Sequence, residues 1–165
     1  THTQSSAASD VYKRQEYPFF SELKGDIYYK EGNFNIAINE YEKAIQALQE
    51  VFHPSSDLIK FSLIKTYLQT NNKGDLNKSI ILLEELLLNN PNWSYLWRLL
   101  SKASGKLNKK GIAYIALAEE ALIKKNFIKA KKYVDIANKQ PGLPITYKLR
   151  GTDILNRIKL KYKKK

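Results

Sequence analysis

The 165-residue chain has no cysteine, which excludes disulfides and thiolate metal sites but leaves the compartment open. It has two histidines, His2 and His53, and no His-Glu-x-x-His helix motif, so no metal site or cofactor is expected from its own residues. No apolar run approaches the roughly 20 residues that a membrane-spanning helix requires, and the stretch from Ile80 to Leu88 is broken by Glu84 and Glu85. No glycine-rich phosphate loop follows a strand, and no nucleophile can be matched to a base, so this chain is not expected to be a catalyst. The adjacent acids Glu84-Glu85 and Glu119-Glu120 splay around a helix axis instead of converging, and they are expected to be ordinary solvated helix charge.

The charge that is present is unevenly spread. The formal net charge is +12, yet Glu16 to Asp57 carries three lysines against eight acids, and Ile59 to Lys165 carries 23 Lys/Arg against seven. A basic half of this kind attracts anionic partners. Without a nucleic-acid recognition motif beside it, a Lys- and Asn-rich bias on solvated helix faces accounts for it better. Nucleic acid is therefore not an expected partner.

What is there is a repeat. Within Leu23 to Ile45, the residues Gly25, Tyr28, Gly32, Ala37, Tyr41 and Ala44 alternate small and aromatic side chains at the spacing of a tetratricopeptide (TPR) helical hairpin. Helices cross closely only where side chains are small, and aromatics fill the space beside the crossing. Apolar residues recur at helical spacing through Leu23 and Ile27, then past a Gly32-Asn33 break through Phe34, Ile38, Tyr41, Ile45 and Leu48. A second copy places Leu63 and Tyr67 in its first helix and Gly74 at the turn. Leu76, Ser79, Leu83 and Leu86 then stand in the positions of Phe34, Ala37, Tyr41 and Ala44, and Pro91 closes the copy. In a third, Trp97, Leu100 and Ser101 take the first-helix positions, and Gly105 and Gly111 bracket the turn.

The segment Ile112 to Lys124 continues the third repeat through Ala113. It also opens a fourth through Tyr114, Leu117 and Ala118, completed by Phe127, Ala130, Val134 and Ala137. About thirteen residues make one helix, so neighbouring repeats are expected to share it. Pro141-Gly-Leu-Pro144 stops the array, and a last helix over 145–161 is expected to bury Leu149, Ile154, Leu155 and Ile158 and to present a polar outer face as a cap. The expectation is an all-α, TPR-like, right-handed helical-hairpin array of about eight helices. It occupies a single domain over 16–165, with repeats near 17–50, 57–91, 93–124 and 112–140. Residues 1–15, polar and without helical period, are expected to be a disordered or artefactual leader; Asp10-Val-Tyr-Lys-Arg-Gln15 is similar to the translation of a transposon end used to prepare sequencing libraries.

In TPR arrays the first helix of each pair lines the concave face. By the repeat's register those positions here are Phe19, Glu22, Asp26, Tyr29 and Lys30, then Lys65 and Gln69, then Tyr95, Arg98 and Lys102. Aromatics beside charges suit an extended peptide or a docked domain, so the expected partner is protein. Chaperone-binding TPRs use Lys and Asn near the first positions to clamp a terminal carboxylate; Glu22 and Asp26 stand there instead, and no such clamp is expected.

Beyond the generic repeat, four segments together resemble the C-terminal TPR region of bacterial M48-type zinc metalloproteases. They are Tyr17-Pro-Phe-Phe-Ser-Glu-Leu-Lys-Gly25, Trp97-Arg-Leu-Leu-Ser101, Ala113 to Lys124 followed by Asn126-Phe-Ile-Lys-Ala130, and Thr152-Asp-Ile-Leu155. The resemblance covers nearly all of Glu16 to Arg157. It implies a substrate-positioning or regulatory module in a periplasmic enzyme of outer-membrane protein quality control. The zinc and its His-Glu-x-x-His helix would lie in an upstream protease domain absent from this chain. Two alternatives stay open: a free-standing TPR adaptor with no attached enzyme, and a nucleic-acid binder using the basic half.

Overall fold

The structure, a computed structural model, describes the backbone of residues 3–50 and 56–162 and the side chains of 17–48 and 56–161. Among the described residues there are eight α-helices and no strand, so the fold is an all-α array of helical hairpins. No described helix is long and apolar enough to cross a membrane. The chain divides into two compact units, Thr1–Asp75 and Leu76–Lys165, where one continuous domain was expected. Contacts in a repeat array are local, so compactness belongs to groups of neighbouring helices.

The first unit holds α1 (Thr3–Lys30), α2 (Phe34–Glu50) and α3 (Ser56–Thr70), with α2 packed on both of the others and α1 touching α3. The helix α1 begins at Thr3, inside the stretch expected as a leader without regular structure. Gln4, Ala7, Ala8, Lys13, Arg14 and Gln15 are all good helix formers, and no glycine or proline interrupts them before Pro18. The α1–α2 turn lies at the expected break: Gly32 takes φ +80°, and the Asn33 amide donates back to the Tyr28 carbonyl at 2.8 Å.

The α1–α2 crossing is as tight as the repeat spacing predicts. A Cβ on Gly25 would stand 2.7 Å from the Tyr41 ring, and Ala37 and Ala44 are fully buried beside it. The Tyr41 hydroxyl donates to Asp26 at 2.5 Å, and the Tyr67 hydroxyl of α3 donates to Glu42 of α2 at 2.5 Å. Burial first, then these carboxylate acceptors, push both phenols well above their ordinary range. The core register on α1 differs from expectation: Leu23 and Ile27 are exposed, and Ser21 and Gly25 are buried in their place. A thin seam of small residues lets the Tyr41 ring approach the α1 backbone, which bulky Leu23 and Ile27 would prevent.

Helix α4 (Lys73–Asn89) starts at the end of the first unit and lies mainly in the second, with α5 (Ser94–Lys106), α6 (Lys110–Ile123), α7 (Phe127–Asn138) and α8 (Ile145–Tyr162). Gly74, expected at the turn, lies inside α4. The turn is made by Asn71 at φ 55° and by Asn72, whose side chain caps the helix by accepting from the Gly74 amide at 2.7 Å. In the second unit α6 is one helix that packs on α5, α7 and α8. Ala116, Ala118, Ala130 and Ala137 are fully buried, the small residues that close helix crossings need. On α8 the buried seam is Tyr147, Gly151, Ile154 and Ile158. Leu149, expected on that seam, is exposed. Gly151 sits at the contact instead: a Cβ there would meet Ile115 at 3.1 Å and Val134 at 3.2 Å, so the closest approach of α8 to α6 and α7 sets the register.

Candidate partner-binding surfaces

In the first unit α1 and α3 bring five of the expected surface residues together. Phe19, Glu22, Asp26, Tyr29 and Lys30 share one side of α1 by helical spacing. Tyr29 is the junction. Its hydroxyl accepts from the Gln69 side-chain amide at 3.4 Å, the Lys65 ammonium lies 5.9 Å from its ring centre, and its ring meets Phe34 of α2 at 5.7 Å. Lys65 also lies 5.1 Å above the Phe61 ring. One turn earlier, Asp26 holds the Tyr41 hydroxyl and Glu22 is half-buried beside it. Burial, then the nearby Asp26 charge, raises the Glu22 pKa above the ordinary carboxylate value of 4.5. Phe19 and Lys30 stay exposed at the two ends of this strip. Glu22, Asp26, Tyr29, Lys65 and Gln69 are thus assembled, and the chemistry they offer is an aromatic platform with acids on one side and an ammonium on the other.

In the second unit Tyr95, Arg98 and Lys102 line one exposed side of α5, but Arg98 is committed within the fold. Its guanidinium donates to one oxygen of Glu120 at 2.9 and 2.5 Å, and Lys124 reaches the same oxygen at 2.5 Å. Glu119 takes Arg150 at 3.1 Å and Arg157 at 3.6 Å. The pair does splay, with one carboxylate toward α5 and the other toward α8. Both carboxylates are buried, however, and the expectation of solvated charge is wrong for them. Long arginines from 22 and 31 residues away in sequence supply the counter-charge that makes their burial tolerable. Burial pushes both acids up. For Glu119 it outweighs the Arg150 and Arg157 contacts, so its pKa is raised; for Glu120 the bonds from Arg98 and Lys124 outweigh it and hold the pKa below the ordinary value.

Sequence reasoning missed a cavity of about 270 Å³ between α4, α5 and α8, whose apolar wall is Leu87, Leu88, Trp97 and Leu100. Its polar wall is internally satisfied: Tyr147 donates to Glu84, and the Arg150 guanidinium stacks 4.9 Å from the Trp97 ring. No spacing signal marks it, because its α8 wall lies more than forty residues beyond the α4 and α5 walls. Among the described residues, no three His, Cys, Asp or Glu side chains group closely enough to hold a metal ion; His53 lies outside them. In comparisons with known proteins, no family model matches the chain and no curated protein gives a significant match.

Proposed function

We propose that the chain is a protein-binding TPR module that positions an extended client segment, serving as the C-terminal part of a periplasmic zinc metalloprotease of outer-membrane protein quality control. The observation that carries the binding reading is the junction at Tyr29, where Lys65 and Gln69 of α3 meet an α1 strip that also bears Phe19, Glu22 and Asp26. A peptide laid along α1 and α3 would meet an aromatic ring for its apolar side chains and Glu22 and Asp26 for its amines or guanidiniums. In this reading the metal and the bond cleavage belong to another domain, and this chain binds and orients. The protease assignment rests on the resemblance of the four segments quoted above.

Titration of a labelled ten-residue peptide alternating aromatic and lysine residues tests the binding reading by fluorescence anisotropy. Phe19→Ala combined with Glu22→Lys should weaken binding about tenfold or more, some 1.4 kcal/mol. Unchanged affinity in the double variant would remove the α1 strip from the proposal. Reading the gene upstream in the same frame tests the protease part: a His-Glu-x-x-His helix supports it, and a start codon with a signal peptide immediately before Glu16 replaces it with a free-standing adaptor.

A further inference from the structure

The first and last helices each carry a second apolar stripe that is left about half or more exposed among the described residues, with the Lys24 ammonium 4.7 Å from the Phe20 ring centre on α1. On α1 the buried side runs through Pro18, Ser21 and Gly25, and Phe20, Leu23 and Ile27 repeat that spacing two residues later. Two residues are about 200° around a helix, so the second stripe lies opposite the first. On α8 the buried seam includes Tyr147, Gly151 and Ile158, and Ile145, Leu149 and Leu160 recur two residues from it, again opposite. The α1 stripe is 47–57% exposed and the α8 stripe 61–67% exposed. Isolated exposed leucines are ordinary, whereas three in helical register on each end helix form a stripe of the kind that interior helices of an array bury against a neighbour. The outer face of α8 is accordingly not the polar face of a cap.

Charge selects the occupant. Residues 1–75 carry eight Lys/Arg against ten acids, a net of −2, and residues 76–165 carry twenty against six, a net of +14. Lys148 and Lys159 flank the α8 stripe, so two α8 faces repel each other, whereas α8 and the mildly acidic first unit of another molecule attract. We infer that copies of this chain associate end to end, with the Ile145, Leu149 and Leu160 face of one α8 laid on the Phe20, Leu23 and Ile27 face of the next molecule's α1. The contact is heterologous, so each added copy offers a fresh α1 or α8 face. Six half-exposed side chains bury less than the roughly 1,200 Å² of a standard interface, so the association is weak and concentration-dependent.

Sedimentation of the 165-residue chain tests this at low salt, over concentrations on the order of 10 μM to 1 mM. The weight-average mass should rise with concentration and fall as salt is added. Leu23→Glu alone and Leu149→Glu alone should each be monomeric, with unchanged circular dichroism because both sites face solvent. Mixed one to one, the two variants should form a dimer and nothing larger, since one retains an α8 face and the other an α1 face. A wild-type chain that stays monomeric at 1 mM would overturn the inference, as would a single variant that still self-associates, or a mixture that does not pair. Loss of binding to phosphatidylglycerol vesicles in Leu149→Glu, with no self-association of the wild type, would overturn it in favour of a membrane surface.

Discussion

The two units use their acids in opposite ways. In the first unit Glu22 and Asp26 lie on the open side of α1, and Asp26 and Glu42 accept from buried tyrosines that cross between helices. In the second unit Glu119 and Glu120 are withdrawn into the fold and neutralised by Arg98, Lys124, Arg150 and Arg157, which leaves a surface dominated by lysine. The +14 of this unit is set by composition, twenty Lys/Arg against six acids, and burial of Glu119 and Glu120 removes two of those six acids from the surface a partner meets. The difference shows that net charge read along a sequence does not say which charges a partner can meet.

The sharpest way to break the comparison is at one closely packed helix glycine in each unit, Gly25 and Gly151. Gly25→Ala places a Cβ 2.7 Å from a Tyr41 ring that Asp26 holds in place, and it should destabilise by about 1–3 kcal/mol despite the helix propensity gained. Gly151→Ala meets only the tips of Ile115 and Val134 at 3.1 and 3.2 Å, so relief by small side-chain shifts should leave it within about 1 kcal/mol of wild type. Urea denaturation of both variants ranks them; an equal loss would mean that the Tyr41 ring yields as easily as an aliphatic tip.

A smaller effect is expected inside the second unit. The Ser104 hydroxyl is fully buried with no hydrogen-bond partner, whereas the Ser79 hydroxyl donates to the Leu76 carbonyl at 2.8 Å. Ser104→Ala should stabilise by about 1 kcal/mol, since it removes an unsatisfied buried group and adds a better helix former. Ser79→Ala should not stabilise to the same degree. Thermal melts of the pair check the contrast.

The smallest effect separates the two buried acids by pH. Glu119 has a raised folded pKa, so the folded state holds its proton more tightly; its contribution falls as pH rises from the unfolded value of 4.5 through the folded one. Glu120 has a lowered folded pKa, so it contributes stability above 4.5 that is lost as pH drops through the folded value. Relative to wild type, Glu119→Gln should gain stability as pH increases above 4.5, and Glu120→Gln should lose it as pH increases toward 4.5 from below, so melting temperatures are needed on both sides of 4.5. Melting temperatures measured across that range would reverse this assignment if the two variants exchanged signs.

Much of the first hairpin was legible because backbone rules and side-chain size act locally. Gly32 marks the turn, and the small residues Gly25, Ala37 and Ala44 with Tyr41 stand where the crossing is tight. Leu76, Ser79, Leu83 and Leu86, aligned with that hairpin by spacing alone, are all buried. Leu23, Ile27 and Leu149 misled because α1 and α8 each carry two apolar stripes, and periodicity cannot say which one a neighbour covers. At the candidate surfaces, spacing placed Phe19 to Lys30 on one side of α1, while the engagement of Arg98 by Glu120 had no local signature.

What the sequence determined by itself is the all-helical hairpin order, its turns and its closest crossings, because helix period, glycine conformation and side-chain volume are properties of short segments. Only the tertiary structure decided which stripe of α1 and α8 is core and which acids are buried. It also decided that Tyr29 meets Lys65 and Gln69, and that Glu84, Trp97 and Tyr147 enclose a cavity. Those outcomes depend on what another helix presents, from sixteen residues away for Gly25 and Tyr41 to sixty-three for Glu84 and Tyr147, and a local pattern carries no information about a partner on another helix.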